Sequence, residues 1–159
     1  MRVGIGYDIH RFSEEPGRQM MLCGVELPGE IGLDGHSDAD AALHAVADAI
    51  LGAAGLGDIG DHFPPSDERW RNADSGDLLS RSLKLLGGRF MIGNVDLTIV
   101  GERPRIAPHR VAMRARLASL LRVPVDRVNV KATTNERLGA IGREEGLAAL
   151  AVVLLEENA

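Results

Sequence analysis

Ser37-Asp-Ala-Asp-Ala-Ala-Leu-His44-Ala-Val-Ala-Asp48 is the stretch around which this 159-residue chain is organised. Leu43, Val46, Ala47 and Ile50 fall at i, i+3, i+4 and i+7, the repeat of a helix that buries one stripe. The spacing predicts a helix over 38–54, stopped by Gly55 and Gly57. Asp40, His44 and Asp48 stand four apart and form a polar ridge away from that stripe, so packing does not require His44. Upstream, 1–9 reads as a strand. In Asp8-Ile9-His10 the period of two sends Asp8 and His10 to one face. A carboxylate and two imidazoles drawn from two elements make a three-ligand zinc site with an open fourth position, the catalytic type. Spacing alone also admits Asp40 as a ligand. Taken singly, Asp-x-His is commonly a solvated strand end, and a His between acids on a helix is commonly their ion-pair partner.

Outward from this pair, 20–27 reads as a weaker strand, and 28–37, with three glycines and Pro28, as a loop. A second long irregular stretch, 57–73, contains Pro64-Pro65 and Asp67. Asp74 or Ser75 caps a helix that runs to about Leu86 and closes on Gly87-Gly88. Val95, Leu97 and Ile99 alternate with Asp96 and Thr98, a strand with one wetter face. Pro108 suits an early helical position, and Met113, Leu117, Leu120 and Leu121 form the stripe that follows. Val128 and Val130 mark a short strand, and Leu147 to Leu155 a strand buried on both faces. The order β-β-α-α-β-α-β-β predicts an α/β chain of the α+β type. It is expected to be a single domain over 1–159, a mixed sheet with helices packed on one face.

Bulk properties narrow the function. A net charge of -5 and 3% aromatic residues argue against nucleic-acid binding, which needs basic patches and stacking platforms. The longest apolar run, Leu147 to Leu155, is too short to cross a bilayer as a helix, so no membrane partner is expected. Met1-Arg2-Val3 leads straight into the first strand without a signal-peptide pattern, and a single Cys23 excludes an internal disulfide. The expected setting is the cytoplasm.

Several motifs in one order carry a resemblance. They are Asp8-x-His10, Ser37 to Ala49, Leu56-Gly-Asp-Ile-Gly60, Phe63-Pro64, Gly93-Asn-Val-Asp96, Pro108-His109, Asn129-Val-Lys-Ala-Thr-Thr134, Gly142-Arg143 and Glu145-Gly146. Over nearly its whole length the chain resembles the 2-C-methyl-D-erythritol 2,4-cyclodiphosphate synthase family of the non-mevalonate isoprenoid pathway. The resemblance implies a homotrimer with active sites between neighbouring subunits. It also implies a lyase that cyclises a CDP-linked methylerythritol 2-phosphate and releases CMP. Such phosphoryl transfer asks for positioning and charge stabilisation rather than a covalent nucleophile. In an acidic protein the positive charge must be local, from metal ions, backbone N–H groups and single Arg or Lys residues.

By the same resemblance Asp8, His10 and His44 hold one Zn2+ per subunit, and Glu136 holds a Mg2+ or Mn2+ that bridges the substrate diphosphate. His36 and Thr134 are the catalytic residues. Ser37, Asp58, Ile59, Gly60, Phe63, Asp67, Pro104, Arg105, Ile106, Ala132, Thr133 and Arg143 contact substrate. Asp48, one turn beyond His44, is expected to orient that imidazole. Three positions depart from the family pattern: Arg105 stands where Lys is usual, Pro65 where Asp is often found, and Ala140 replaces a bulky aromatic. In the family, the region of Ala140 lines an axial channel that can hold isoprenoid diphosphates. Two alternatives stand beside the cyclase: a zinc-dependent nucleotide-diphosphate hydrolase, and a non-catalytic trimer that binds isoprenoid diphosphates.

Overall fold

A four-stranded mixed sheet, in strand order Arg2–Arg11, Gly146–Glu157, Phe90–Val100 and Val128–Thr133, carries helices on one face. The computed structural model describes residues 1–158. β1 (Arg2–Arg11) and β4 (Phe90–Val100) each pair antiparallel with β6 (Gly146–Glu157), while β5 (Val128–Thr133) runs parallel to β4. A second, two-stranded sheet joins β2 (Met21–Leu22) to β3 (Val25–Glu26). The expected strand over 20–27 is therefore a hairpin, because Cys23 and Gly24 both take positive φ, 56° and 68°.

The helix read from the opening motif is α1 (Ala41–Ala54), three residues shorter at its start than the spacing predicts. Ala39 sits at φ 56°, which stops the helix from extending back, and Asp40 is the N-cap. Gly55, in the left-handed conformation, ends it. The helix is buried almost all round, not on one stripe. It lies on β1 because Gly4 and Gly6 leave room. A Cβ at either would stand 1.9 Å from a helix carbonyl, that of Ala49 or Ala45. The even face of β1 that carries these glycines continues into Asp8 and His10, which places them beside the first turns of α1.

Two short elements interrupt the irregular stretch 57–73: α2 (Ile59–His62) and a 3-10 turn over Glu68–Trp70. α3 (Ser75–Leu85) begins on an Asp74 N-cap, and Pro108 lies in a 3-10 turn that leads into α4 (Arg110–Leu121). Met113, Leu117 and Leu121 of α4 are buried as their spacing predicts. The last helix, α5 (Gly139–Gly142), is a single turn.

The sheet buries its helix-side face: Val95, Leu97, Ile99, Val128, Val130, Ala149, Ala151, Val153 and Leu155 are at most 2% exposed. Its other face is open in this chain. Val3, Ile5, Tyr7 and Ile9 are 48–68% exposed, and Val152 on β6 is 39% exposed. The outer face of β6 is only partly covered, with Ala148 buried, Leu150 and Leu154 half-buried and Val152 exposed, short of the two-sided burial its apolar run suggests. Toward β5 the open face turns polar, where Asn129 and Lys131 both donate to the Asp96 carboxylate.

Candidate metal centre and active site

Three donor atoms converge where the end of β1 meets the start of α1. Asp8 Oδ2 lies 2.9 Å from His10 Nε2 and 2.9 Å from His44 Nδ1, and the two nitrogens are 3.4 Å apart. Tetrahedral ligands at zinc bond lengths stand about 3.3 Å from one another, so this triangle matches three corners of such a site. The remaining atoms of these side chains are occupied. Asp8 Oδ1 accepts from Ile9 N at 2.9 Å. His10 Nδ1 donates to the Asp34 carbonyl at 2.6 Å, which leaves the Nε2 lone pair facing the centre. His44 Nε2 lies 2.9 Å from Ser75 Oγ and 3.2 Å from Ser37 Oγ. This donor set suits a divalent metal ion.

Electrostatics agree with the geometry. Burial opposes ionisation of Asp8, but hydrogen bonds and charge from His10 and His44 outweigh it and hold the carboxyl well below the usual range. At His10 burial favours the neutral ring, and the bond to Asp8 and its charge prevail, raising the pKa. Without a cation, protons share the space among these donors, so metal and proton compete for it.

Other residues expected at the site take several different places. Asp40, which spacing admits as a ligand, is fully buried; it accepts from Leu43 N, Cys23 N and Gly24 N and ties the β2–β3 turn to the start of α1. Burial pushes its pKa up to about 6 against the pull of those N–H groups. Asp48 is engaged elsewhere than on His44: its Oδ1 accepts from Ile59 N at 2.8 Å. Burial, opposed by that N–H bond, raises its pKa. It thereby anchors the Asp58-Ile59-Gly60 turn, where Asp58 caps α2 through a reciprocal bond with Asp61. His36 is exposed in the loop before α1, and Ser37 is nearly buried.

Phe63 packs edge-on against Trp70, with ring centroids 5.1 Å apart. The Asp67 carboxylate is held by Arg69, at 2.5 Å from its guanidinium. Arg143 donates to Glu145 at 2.8 Å. Pro65 and Ala140 are exposed.

A second group of expected residues gathers at the β5 edge. Ala132, Thr133, Thr134 and Glu136 are exposed, and Thr134 Oγ1 donates to Glu136 Oε1 at 3.1 Å. Glu136 and Arg137 both take positive φ, 49° and 59°. Glu102 secures this turn by accepting from Asn135 N and Arg137 N at 3.0 and 3.1 Å. The neighbouring loop buries Pro104 and Ile106 and leaves Arg105 exposed. Register places both groups at one end of the sheet, because Asp8 and Ile99 both pair with Ala149 while Val100 pairs with Thr133. They stand on opposite edges, three strand spacings or about 14 Å apart.

Sequence reasoning missed Arg18, Asp38, Ser75 and Glu102. Arg18 donates to the carbonyls of Leu33, Gly35 and Ser37, shaping the loop that brings the Asp34 carbonyl under His10. None of these four had a spacing signal, because each acts on a segment remote in sequence.

The fold and the converging donors define an α/β domain with an open cation centre where its first strand meets its first long helix. The chain belongs to the YgbB family, whose model matches residues 1–156. It is 56% identical over 156 residues to 2-C-methyl-D-erythritol 2,4-cyclodiphosphate synthase of Symbiobacterium thermophilum, covering 98% of each chain. It is 57% identical over 155 residues to the bifunctional enzyme IspD/IspF of Hyphomonas neptunium, covering 97% of this chain and 40% of that protein. The chain therefore spans about two fifths of the length of such bifunctional relatives. A solved 2C-methyl-D-erythritol-2,4-cyclodiphosphate synthase bound to CDP superposes with a TM-score of 0.88 at 42% identity, covering 98% of this chain and all of that one.

Proposed function

We propose that this chain converts 4-diphosphocytidyl-2-C-methyl-D-erythritol 2-phosphate to 2-C-methyl-D-erythritol 2,4-cyclodiphosphate and CMP in the non-mevalonate isoprenoid pathway. The observation that carries this reading is the convergence of Asp8, His10 and His44 in a chain that aligns end to end with synthases of that name. In the reaction an oxygen of the 2-phosphate attacks the β-phosphorus of the diphosphate. The bond from that phosphorus to the bridging oxygen breaks, and CMP leaves with the electron pair. No water enters. The nucleophile is already an anion, so the protein's task is to bring phosphates together and offset their charge.

Asp8, His10 and His44 would hold Zn2+, and Glu136 a Mg2+ or Mn2+; bound there, the ions would supply Lewis-acid polarisation and charge neutralisation for the diphosphate. His36 and Thr134 are assigned to the transferring phosphates, with Ser37 beside the centre at the start of α1. Pro104, Arg105, Ile106, Ala132 and Thr133 are assigned to the cytidine end, and Asp58, Ile59, Gly60, Phe63, Asp67 and Arg143 to further substrate contacts. Arg143 and Asp67 would have to exchange their present partners, Glu145 and Arg69, for substrate.

A homotrimer is part of the proposal. The open face of Val3, Ile5, Tyr7, Ile9 and Val152 is a contiguous apolar surface of the kind that marks an interface. The two-sided apolar pattern of β6 agrees with a covered outer face. A ring of three heterologous contacts would let the β1 edge of one copy meet the β5 edge of the next, which closes the gap of about 14 Å left within one chain. Cytoplasmic residence, suited to a chain with one unpaired cysteine, belongs to the same reading. Among the described residues no helix is long and apolar enough to cross a membrane.

The test is incubation with the CDP-linked substrate, with and without chelator, following CMP and the mass of the second product. The expected result is chelator-sensitive CMP with a cyclic product. A product heavier by one water identifies a hydrolase, and saturable binding without CMP a non-catalytic trimer; either overturns the proposal.

A further inference from the structure

Whether His44 can serve as a ligand depends on which of its ring nitrogens carries the proton. Its Nδ1 faces Asp8 and His10, so the proton must sit on Nε2 if Nδ1 is to offer a lone pair. Two serine hydroxyls lie against Nε2, and a hydroxyl can act there as donor or acceptor.

Ser75 has no such freedom. It is the first residue of α3, 1% exposed, and its hydroxyl donates to Asp38 Oδ1 while its backbone N–H donates to Asp38 Oδ2 at 3.1 Å. Asp40 N also donates to Asp38 Oδ1, at 3.2 Å, so three donors converge on a carboxylate that can only accept. The single hydroxyl proton of Ser75 is thereby committed to Asp38. What Ser75 presents to His44, 2.9 Å away, is an oxygen lone pair. Ser37 imposes nothing comparable: its oxygen accepts from Ala39 N at 3.1 Å, and its own proton can turn either way.

We propose that Ser75 and Asp38 are positioning residues that hold His44 in its Nε2–H tautomer and so aim the Nδ1 lone pair at the cation centre. Asp38 fixes the direction of the Ser75 hydroxyl, Ser75 fixes the proton on Nε2, and the ring presents its free nitrogen beside Asp8 Oδ2. His10 is fixed by the equivalent device, with the Asp34 carbonyl as its acceptor. The helix start does not explain Ser75, because Asp74 already caps α3 through Gly76 N. The inference rests on the reading of Asp8, His10 and His44 as a metal centre, and neither of its two measurements is an activity.

The first measurement is proton–nitrogen NMR of the His44 ring in the zinc-loaded, full-length protein. The expected result is a hydrogen-bonded, slowly exchanging Nε2–H in the wild type, and an Nε2–H that exchanges at least about tenfold faster in Ser75→Ala. The second is the zinc dissociation constant by chelator competition. Ser75→Ala and Asp38→Asn should each bind about 10- to 100-fold more weakly, with Ser75→Thr, which keeps the hydroxyl, close to wild type. Asp38→Asn belongs here because its NH2 group replaces one of the two accepting oxygens and leaves at least one of the three donors without an acceptor.

A zinc-loaded wild type whose His44 ligates through Nε2, or whose Nε2–H exchanges as fast as in Ser75→Ala, would overturn the inference without loss of the metal reading. So would a Ser75→Ala protein with unchanged zinc affinity. A wild type that binds no zinc would overturn the metal reading itself.

Discussion

The two edges of the sheet contrast in how far one chain completes them. At the β1 edge Asp8, His10 and His44 are partly buried, their donor atoms lie 2.9–3.4 Å apart, and each imidazole's outer nitrogen is engaged. At the β5 edge Thr133, Thr134 and Glu136 are exposed, and Glu136 has a hydroxyl of its own turn as partner. One half is preorganised by the fold of a single chain; the other is an outward-facing turn that awaits substrate and a neighbour. Preorganisation follows burial, because a metal site needs its ligands held within a fraction of an ångström, whereas a phosphate site can gain its last contacts on binding.

Removing a ligand breaks the preorganised half outright. His44→Ala should lose stoichiometric zinc, read by metal analysis, and CMP formation should fall at least about 100-fold. A variant with full zinc and full activity would remove His44 from the site. The next largest effect lies on the open face. Ile5→Glu places a charge on an exposed strand position, so the subunit should keep its fold and its zinc. It should run as a monomer in light scattering, with CMP formation down at least about tenfold. A smaller effect separates the edges more finely. Glu102→Ala frees the N–H groups of Asn135 and Arg137 and should loosen the Glu136 turn, lowering CMP formation by about tenfold with zinc content unchanged. Glu102→Gln, which keeps an accepting oxygen, should fall less.

The same contrast explains what could be read without a structure. The period of two through Asp8 and His10, and the position of His44 on a helix, are local signals, and the fold places all three together. The helix stops at Gly55, the wet face of β4 and the stripe of α4 were legible for the same reason. What was hidden depends on distant segments. Asp40 looked like part of an exposed ridge because nothing near it announces the Cys23-Gly24 turn it binds. Asp48 has the right spacing to reach His44, but the free N–H of Ile59, eleven residues on, takes it first. Ser75 read as a possible helix cap, and its contact with His44 spans 31 residues. β6 misled in an instructive way: its apolar run describes both faces, and the single chain covers one fully and the other in part.

The central claim, that each active site joins the β1 edge of one subunit to the β5 edge of another, can be tested by mixing two inactive variants. His44→Ala spoils only the metal half and Glu136→Ala only the substrate half. In trimers assembled from equal amounts of both, one interface in each mixed ring pairs an intact metal half with an intact substrate half. CMP formation should then recover to about a quarter of the wild-type rate. A mixture no more active than either variant alone would contradict it.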